Sequence, residues 1–486
     1  MLFVYSLQKM KKSTWRKQHK WFGLILAFFI FLFCLSGIVL NHPALFSNIN
    51  VSRSLLPSDY EYQHWNRGLL RGSLPWQEGV LIYGNGGIWL TDRNASAFRD
   101  LNRGLPLGAD HRNIRSVVHT DADQLFVAGQ YGLYVYTDSA YWREVPLPKK
   151  EEERLTDMVF YQDTLFVLGR SYLYYAAAPY TQFQKLMLKQ PDDYDGKVPL
   201  FRTVWLLHSG ELFGWGGKIV VDLIALALVF ISLTGVLYWF LPKVRKRTRI
   251  ILSKLFRWHN AVGKWTIVAT LALCITGWFL RPPALIAIAS GRIPPIPFSS
   301  LDSPNPWHDK LRTLRRDRYY NDWLLYTSNG FYTLSNFSAS PRAVQVAQPP
   351  ISVMGINAQV QDSLGTWLVG SFSGMFLWDR STGATLDYFT HEPAQVQQGI
   401  PIAEHAIAGY SADMGNCPFT VDYNKGTEQI SMPEALAKLP MSLRNVALEV
   451  HTGRIFTFLG KGGILFIFFM GLAIFWTLWT GWKRRR

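Results

Sequence analysis

Residues 19–43 read HKWFGLILAFFIFLFCLSGIVLNHP, and 240 positions later the chain reads HNAVGKWTIVATLALCITGWFLRPP. His19 returns as His259, Gly23 as Gly263, Cys34 as Cys274, Gly37 as Gly277 and Pro43 as Pro283. A lipid-facing helix needs apolar side chains and nothing more specific, so shared His, Gly and Cys in ungapped register point to a duplicated structure. A second echo follows. HSGELFGWGGK (208–218) returns as HTGRIFTFLGK (451–461), matching His208 with His451, Gly210 with Gly453, Phe213 with Phe456, Gly217 with Gly460 and Lys218 with Lys461. Further along, Thr234-Gly235 answers Thr480-Gly481 after a slip of three residues.

Four apolar runs, near 21–41, 219–241, 264–281 and 462–482, approach or reach the ~20 residues that cross a bilayer. Trp and Tyr gather at their ends, as in interfacial belts. The formal charge of +16 is concentrated beside them: 6 Lys/Arg in 1–20, 7 in 242–257 and 4 in 483–486, without one Asp or Glu in these windows. The rest of the chain is close to neutral, which leaves no basic surface for a nucleic-acid partner. The positive-inside rule puts all three blocks in the cytoplasm. The expectation is a bacterial inner-membrane protein with both termini cytoplasmic and two large segments outside. The first run lacks a small-residue cleavage site and reads as a retained span. Three Cys make no disulfide framework, and no covalent-haem, zincin or phosphate-loop motif occurs.

Two units of span, outer segment and span in the same orientation are parallel repeats, which pack about an axis along the membrane normal. Matching residues then face each other: His19 with His259 near the inner surface, His208 with His451 near the outer one. At 100° per residue Gly23 lies about 40° from His19, Cys34 about 60° away and Gly37 back near 0°. The stripe suits a packing seam, or the close approach of a flat cofactor. Single histidines at a membrane edge are ordinary interfacial groups; two symmetric pairs suit bis-imidazole ligation of haem iron, one haem at each face. His42 is a further candidate ligand at the outer side, although its repeat mate is Pro282. Arg16, Lys20, Lys218 and Lys461 could pair with propionates, and the two outer lysines could equally snorkel. Asp222, one turn after Lys218, is expected to be tolerated through an i,i+4 ion pair with it.

These same stretches, with MPEALAKLPMSLRNVALEVHTGRIFTFLGK before the last span, resemble the PepSY-associated transmembrane helix family. The resemblance covers the four spans and their edges. Members studied as ferric-siderophore reductases are inner-membrane proteins that carry b-type haem on such helix-edge histidines and pass electrons to periplasmic iron chelates. It implies haem b, two per chain, on His19, His208, His259 and His451. The sequence departs from the family at Glu211, where Arg is usual and where Arg454 keeps it. No PepSY module is recognisable in the outer segments, which leaves the substrate open.

The outer segments are expected to be β-rich. GVLIYGNGGIWLTD, DQLFVAGQYGLYVYTD, DTLFVLGRSYLYYAA, DWLLYTSNGFYTLSN and GTWLVGSFSGMFLWDRSTG each pair apolar strands across a Gly-containing turn. In the first segment the units recur about every 40–45 residues, the period of four-stranded propeller blades. The two segments join into one propeller-like domain on this reading; separate sandwiches or α+β modules are the alternative.

The expected organisation is a four-helix transmembrane bundle from two parallel repeats, plus a β-rich periplasmic domain. Residues 1–44 form the N-terminus and span 1, 45–205 the first outer segment, and 206–241 span 2. A basic loop follows at 242–258, then span 3 at 259–283, the second outer segment at 284–447, and span 4 with its tail at 448–486. The expected function is electron transfer from a cytoplasmic or quinol donor, through haem, to a periplasmic acceptor such as a ferric chelate. A membrane sensor or assembly factor with a ligand-binding head, and a proton-coupled transporter, are the alternatives.

Overall fold

The computed structural model of the chain describes residues 11–151, 153–352, 354–394, 405–415 and 417–485. Lys9 of the first basic block and Arg486 of the tail lie outside them. The chain divides into two compact units: Met1–Ile49, Gly196–Asp302 and Leu443–Arg486, and Asn50–Asp195 with Ser303–Ser442. Residues 196–205 and 284–302, read from the sequence as outer β-rich chain, thus group with the helices.

In the helical unit α1 is Lys12–Asn41, α2 Leu200–Ser209, α3 Gly214–Val244, α4 Arg249–Phe279, α5 Leu443–His451 and α6 Phe466–Arg485. Four stretches are long and apolar enough to cross a membrane: Lys12–Asn41, Glu211–Val244, Arg249–Phe279 and Thr457–Lys483. Their exposed faces carry Ile25, Phe28, Leu223, Val268 and Phe469, the inside-out pattern of helices solvated by lipid. His42 and Pro43 end α1, since the residue before a proline avoids the α region. A link of only four residues, 245–248, makes α3 and α4 antiparallel neighbours.

The packing follows the sequence repeat. Under the exchange of α1 with α4, α2 with α5 and α3 with α6, every major contact maps onto another. The contact of α1 with α3 matches α4 with α6, α1 with α6 matches α4 with α3, and α1 with α5 matches α4 with α2. Two parallel repeats therefore build one bundle, and helices of different repeats face each other across its middle.

In the β-rich unit five four-stranded antiparallel meanders span residues 72–100, 114–145, 155–186, 311–343 and 356–387, followed by a two-stranded sheet at 407–422. Their first strands are β1 Gly72–Trp76, β2 Ile114–His119, β3 Leu155–Tyr161, β4 Leu311–Asp317, β5 Ile356–Gln361 and β6 Ile407–Ser411. Each lies against the next, and β6 lies against β1, so the packing order closes on itself. A hydrophobic cluster fills each of the six junctions. The first strands of neighbouring sheets carry these contacts. Among the described residues three of these six sheets come from each outer segment, and Asn50–Val51 pairs with Met441–Ser442 across the two.

The halves of the ring join where β3 meets β4. Buried Asp157 of β3 pairs with Arg315 of β4, and its carboxylate also accepts Leu314 N at 2.9 Å. Replacing Asp157 with Ala leaves Arg315 and that amide unpaired at a buried seam. It is expected to cost about 3 kcal/mol, read as a lowered unfolding midpoint of the full-length protein.

Asp317, at the end of β4, has no solvent-exposed side-chain surface. It accepts hydrogen bonds from Gln361 Nε2 (2.8 Å), Arg380 Nη1 (2.7 Å), Trp367 Nε1 (3.1 Å) and the amides of Tyr319 and Tyr320 (both 3.0 Å). Burial opposes ionisation, but the donors outweigh it and hold the carboxyl below its ordinary pKa. A depressed folded-state pKa adds stability above about pH 4 that is lost as pH falls through the folded value. Asp317→Asn should therefore lower the unfolding midpoint at neutral pH, and the gap from wild type should narrow as the solution is acidified below pH 4.

Candidate functional site

Four histidines of the helical unit are brought together as two pairs. His19 of α1 and His259 of α4 have ring centroids 6.1 Å apart, with planes at 75°. His208, in the last turn of α2, and His451, ending α5, also lie 6.1 Å apart, with planes at 59°. Each pair joins equivalent residues of the two repeats. About 21 Å of helix rise separates His19 from Phe33, the α1 residue that receives His451.

All four rings are seated in the same way on a neighbouring helix. His451 Nδ1 lies 3.1 Å from Phe33 O and 3.0 Å from Ser36 Oγ on α1. His208 Nδ1 lies 3.0 Å from Thr276 Oγ1 on α4 and also engages the Leu273 carbonyl. His259 Nδ1 lies 3.1 Å from Ile231 O and 3.2 Å from Thr234 Oγ1 on α3. His19 Nδ1 lies 3.0 Å from Thr477 O and 3.4 Å from Thr480 Oγ1 on α6. The rule is a helix carbonyl at position i, a hydroxyl at i+3 and a glycine at i+4. The hydroxyl bonds back to the same carbonyl, as Thr234 does to Ile231 O at 2.9 Å and Thr480 to Thr477 O at 3.0 Å.

The glycine is steric. A Cβ on Gly37 would sit 3.3 Å from His451 Cε1, on Gly277 3.2 Å from His208 Cε1, on Gly235 3.4 Å from His259 Cε1 and on Gly481 3.0 Å from His19 Cε1. At i+4 it stands one turn beyond the receiving carbonyl and lets the imidazole lie flush on the helix.

A carbonyl can only accept, so Nδ1 carries a proton, and in the neutral ring Nε2 keeps its lone pair. Neutral imidazole is the form that binds a metal, and a second-shell carbonyl on the other nitrogen is how such ligands are oriented. Short helices place the rings of His208 and His451. Gly210 (φ 79°) and Gly453 (φ 75°) take the left-handed conformation just past His208 and His451 and turn the chain into the following span.

A metal held collinearly between two imidazole nitrogens, at about 2.0 Å from each, puts the ring centroids about 6.3 Å apart. The observed 6.1 Å fits that spacing. Among the described residues no group of three or more His, Cys, Asp or Glu is placed to hold a metal. A donor set of two neutral imidazoles suits an iron whose other four positions are filled by a macrocycle better than a bare zinc ion, which takes three or four protein ligands.

The other residues singled out from the sequence lie differently. His42 Nε2 meets Asp222 Oδ2 at 2.7 Å, and Asn41 Nδ2 donates to Asp222 Oδ1 at 3.0 Å, so His42 is engaged outside the two pairs. The expected Lys218–Asp222 pair does not form. Lys218 reaches back to Glu211 at 3.1 Å, while α1 supplies the partners of Asp222. Arg16 and Lys461 are exposed, and Lys20 stacks over Trp21 at 4.6 Å. Arg454 pairs with Glu449 at 2.5 Å. The seats of Ser36 and Thr276 escaped the sequence reading. Their signal was present: a hydroxyl residue precedes a glycine in each of the four spans.

With this geometry in hand, comparison identifies the class. The PepSY-associated TM region matches residues 1–242, and the chain belongs to that family of membrane proteins. The match ends where the second repeat begins. No curated protein matches the sequence. Similar solved structures include the extracellular domain of a putative hybrid two-component system from B. thetaiotaomicron, at 11% identity and TM-score 0.34, covering 78% of this chain and 39% of that one. The computationally designed Ika8 protein gives 8% identity and TM-score 0.31, covering 78% and 84%. PorZ, a surface component of the type-IX secretion system of Porphyromonas gingivalis, gives 10% and 0.33, covering 72% and 37%. The chain thus spans about two fifths of the length of the first of these. Likenesses this weak establish nothing about activity.

The seat makes a steric prediction. Gly277→Val would force a side chain into His208 and should cost about 1–3 kcal/mol, seen as a lowered unfolding midpoint. Gly216→Ala, where nothing lies within 4 Å, should leave the midpoint unchanged.

Proposed function

We propose that the helical unit is a b-type haem electron-transfer module. Two bis-imidazole sites, His19 with His259 and His208 with His451, would conduct electrons from a cytoplasmic or quinol donor toward an acceptor on the periplasmic side, a ferric chelate being the acceptor class that the resemblance suggests. The observation that carries the reading is the fourfold seat. Each imidazole presents Nδ1 to a neighbouring helix, and each pair has the ring spacing of collinear ligation. Haem held by these imidazole pairs would supply one-electron chemistry. The residues of the chain fix ring orientation and place the Nδ1 proton on a helix carbonyl. The basic blocks at both termini and in the 242–257 link support an inner-membrane orientation with those segments cytoplasmic.

A second reading, proton-coupled transport, draws on the Asn41–His42–Asp222 cluster, because an ionisable residue within a span is costly and usually functional. Two measurements separate them. Purified from haem-replete cells, the protein should show a Soret band and sharp reduced α and β bands, with about two haems per chain. His19→Ala or His259→Ala should remove one haem, and His208→Ala or His451→Ala the other, while Asp222→Asn leaves the haem content intact. A folded, colourless protein, or histidine variants with undiminished haem, would overturn the electron-transfer reading.

A further inference from the structure

Arginines crowd one rim of the β-ring. Arg71 immediately precedes β1, Arg115 is the second residue of β2, Arg154 immediately precedes β3, and Arg170 follows the next strand, Thr164–Gly169. Backbone bonds tie these positions to the sheet junctions. Tyr410 N donates to Arg71 O at 3.1 Å, Arg170 N to Arg154 O at 3.1 Å, and Leu311 N to Arg170 O at 2.9 Å. Three consecutive sheets thus deliver four arginines to one end of their first strands.

Around Arg71 and Arg115 the surroundings do not balance the charge. Burial holds the pKa of Arg115 well below its ordinary value, and repulsion from Arg71, Arg154 and Arg170 adds to it; burial also lowers Arg71. Arg115 Nη2 has a hydrogen bond to neutral Gln130 Oε1 at 3.3 Å, an oxygen that Asn113 Nδ2 also uses at 3.0 Å. Arg71 Nε is buried with no hydrogen-bond partner. Among the described residues neither Arg71 nor Arg115 meets a carboxylate. The nearby acids have other partners than Arg71 and Arg115: Asp309 pairs with Arg170 itself at 3.0 Å, Asp157 with Arg315, and Asp413 accepts from Ser73 at 2.6 Å. Glu153 accepts from Tyr174 Oη at 2.6 Å and Ser171 N at 3.3 Å. Tyr131 lines the same rim, with Arg154 6.0 Å over its ring.

Crowded, desolvated like charges weaken a fold unless a counter-charge arrives from outside. Guanidinium forks match paired oxygens of carboxylate and phosphate. We propose that this rim binds a small multivalent anion through its carboxylate or phosphate oxygens, with Arg71 and Arg115 as the gripping forks. The proposal does not depend on haem, because the binding groups all belong to the β-ring.

The test is calorimetric titration of the full-length protein, in uncharged detergent, with citrate and with pyrophosphate. The expected result is one anion bound per chain, more weakly as salt rises, and about tenfold or more weaker in Arg71→Gln and Arg115→Gln. Arg115→Lys, which keeps the charge but loses the fork, should fall between. Without ligand the Gln variants should melt at or above the wild-type temperature, since a repelled charge has been removed. Preference for citrate assigns carboxylate chemistry, and preference for pyrophosphate assigns phosphate. Wild-type protein that binds neither probe, binding unchanged by both substitutions, or Gln variants that melt well below wild type would overturn the proposal.

Discussion

A helix carbonyl has two lone pairs, and the α-helix uses one. The helical unit depends on the second. At Phe33, Ile231, Leu273 and Thr477 that spare capacity receives an imidazole from a neighbouring helix. The bond fixes the tautomer, turns Nε2 away from the carbonyl and determines which helix each histidine leans on. Apolar packing between lipid-solvated helices is weakly directional, so a short polar contact of this kind sets the register of the bundle. The glycine at i+4 is the geometric condition for it, and the hydroxyl at i+3 gives the proton a second acceptor.

Duplication turns this local rule into a paired site. Each repeat contributes two histidines and two seats, and every seat on α1 or α4 receives a histidine of the other repeat. His19 likewise leans across to α6 and His259 to α3. Neither repeat can form a pair alone. The β-ring obeys a similar condition. Its first three sheets precede the second span and its last three follow the third, so it closes only when both outer segments are present. The buried Asp157–Arg315 pair and the aromatic cluster around Trp307, Trp323 and Phe166 lie at one of the two junctions between the halves.

The fold was legible where the signal is periodic or repeated. Apolar length gave four spans, the shared His and Gly positions gave the parallel duplication, and Gly-punctuated aromatic strands gave β-rich outer segments. Ring closure was less visible, because it rests on contacts between sheets far apart in the chain. The histidines of the candidate site could be named because they recur in register. Their seats were only half visible: Thr234-Gly235 and Thr480-Gly481 stood out as repeats, whereas Ser36 and Thr276 differ in identity and share only a hydroxyl. The expected Lys218–Asp222 pair failed for a related reason. Helical spacing allowed it, but Glu211 and the α1 terminus offered Lys218 and Asp222 closer partners.

By itself the sequence determined the lipid-matched helices, their duplication and the residue types able to ligate, because hydropathy and repetition are properties of the chain in order. The tertiary structure decided which imidazole meets which carbonyl, that the two segments close one ring, and that arginines from three sheets share a rim. Those outcomes depend on distances between residues hundreds of positions apart, which packing geometry fixes and linear spacing does not encode.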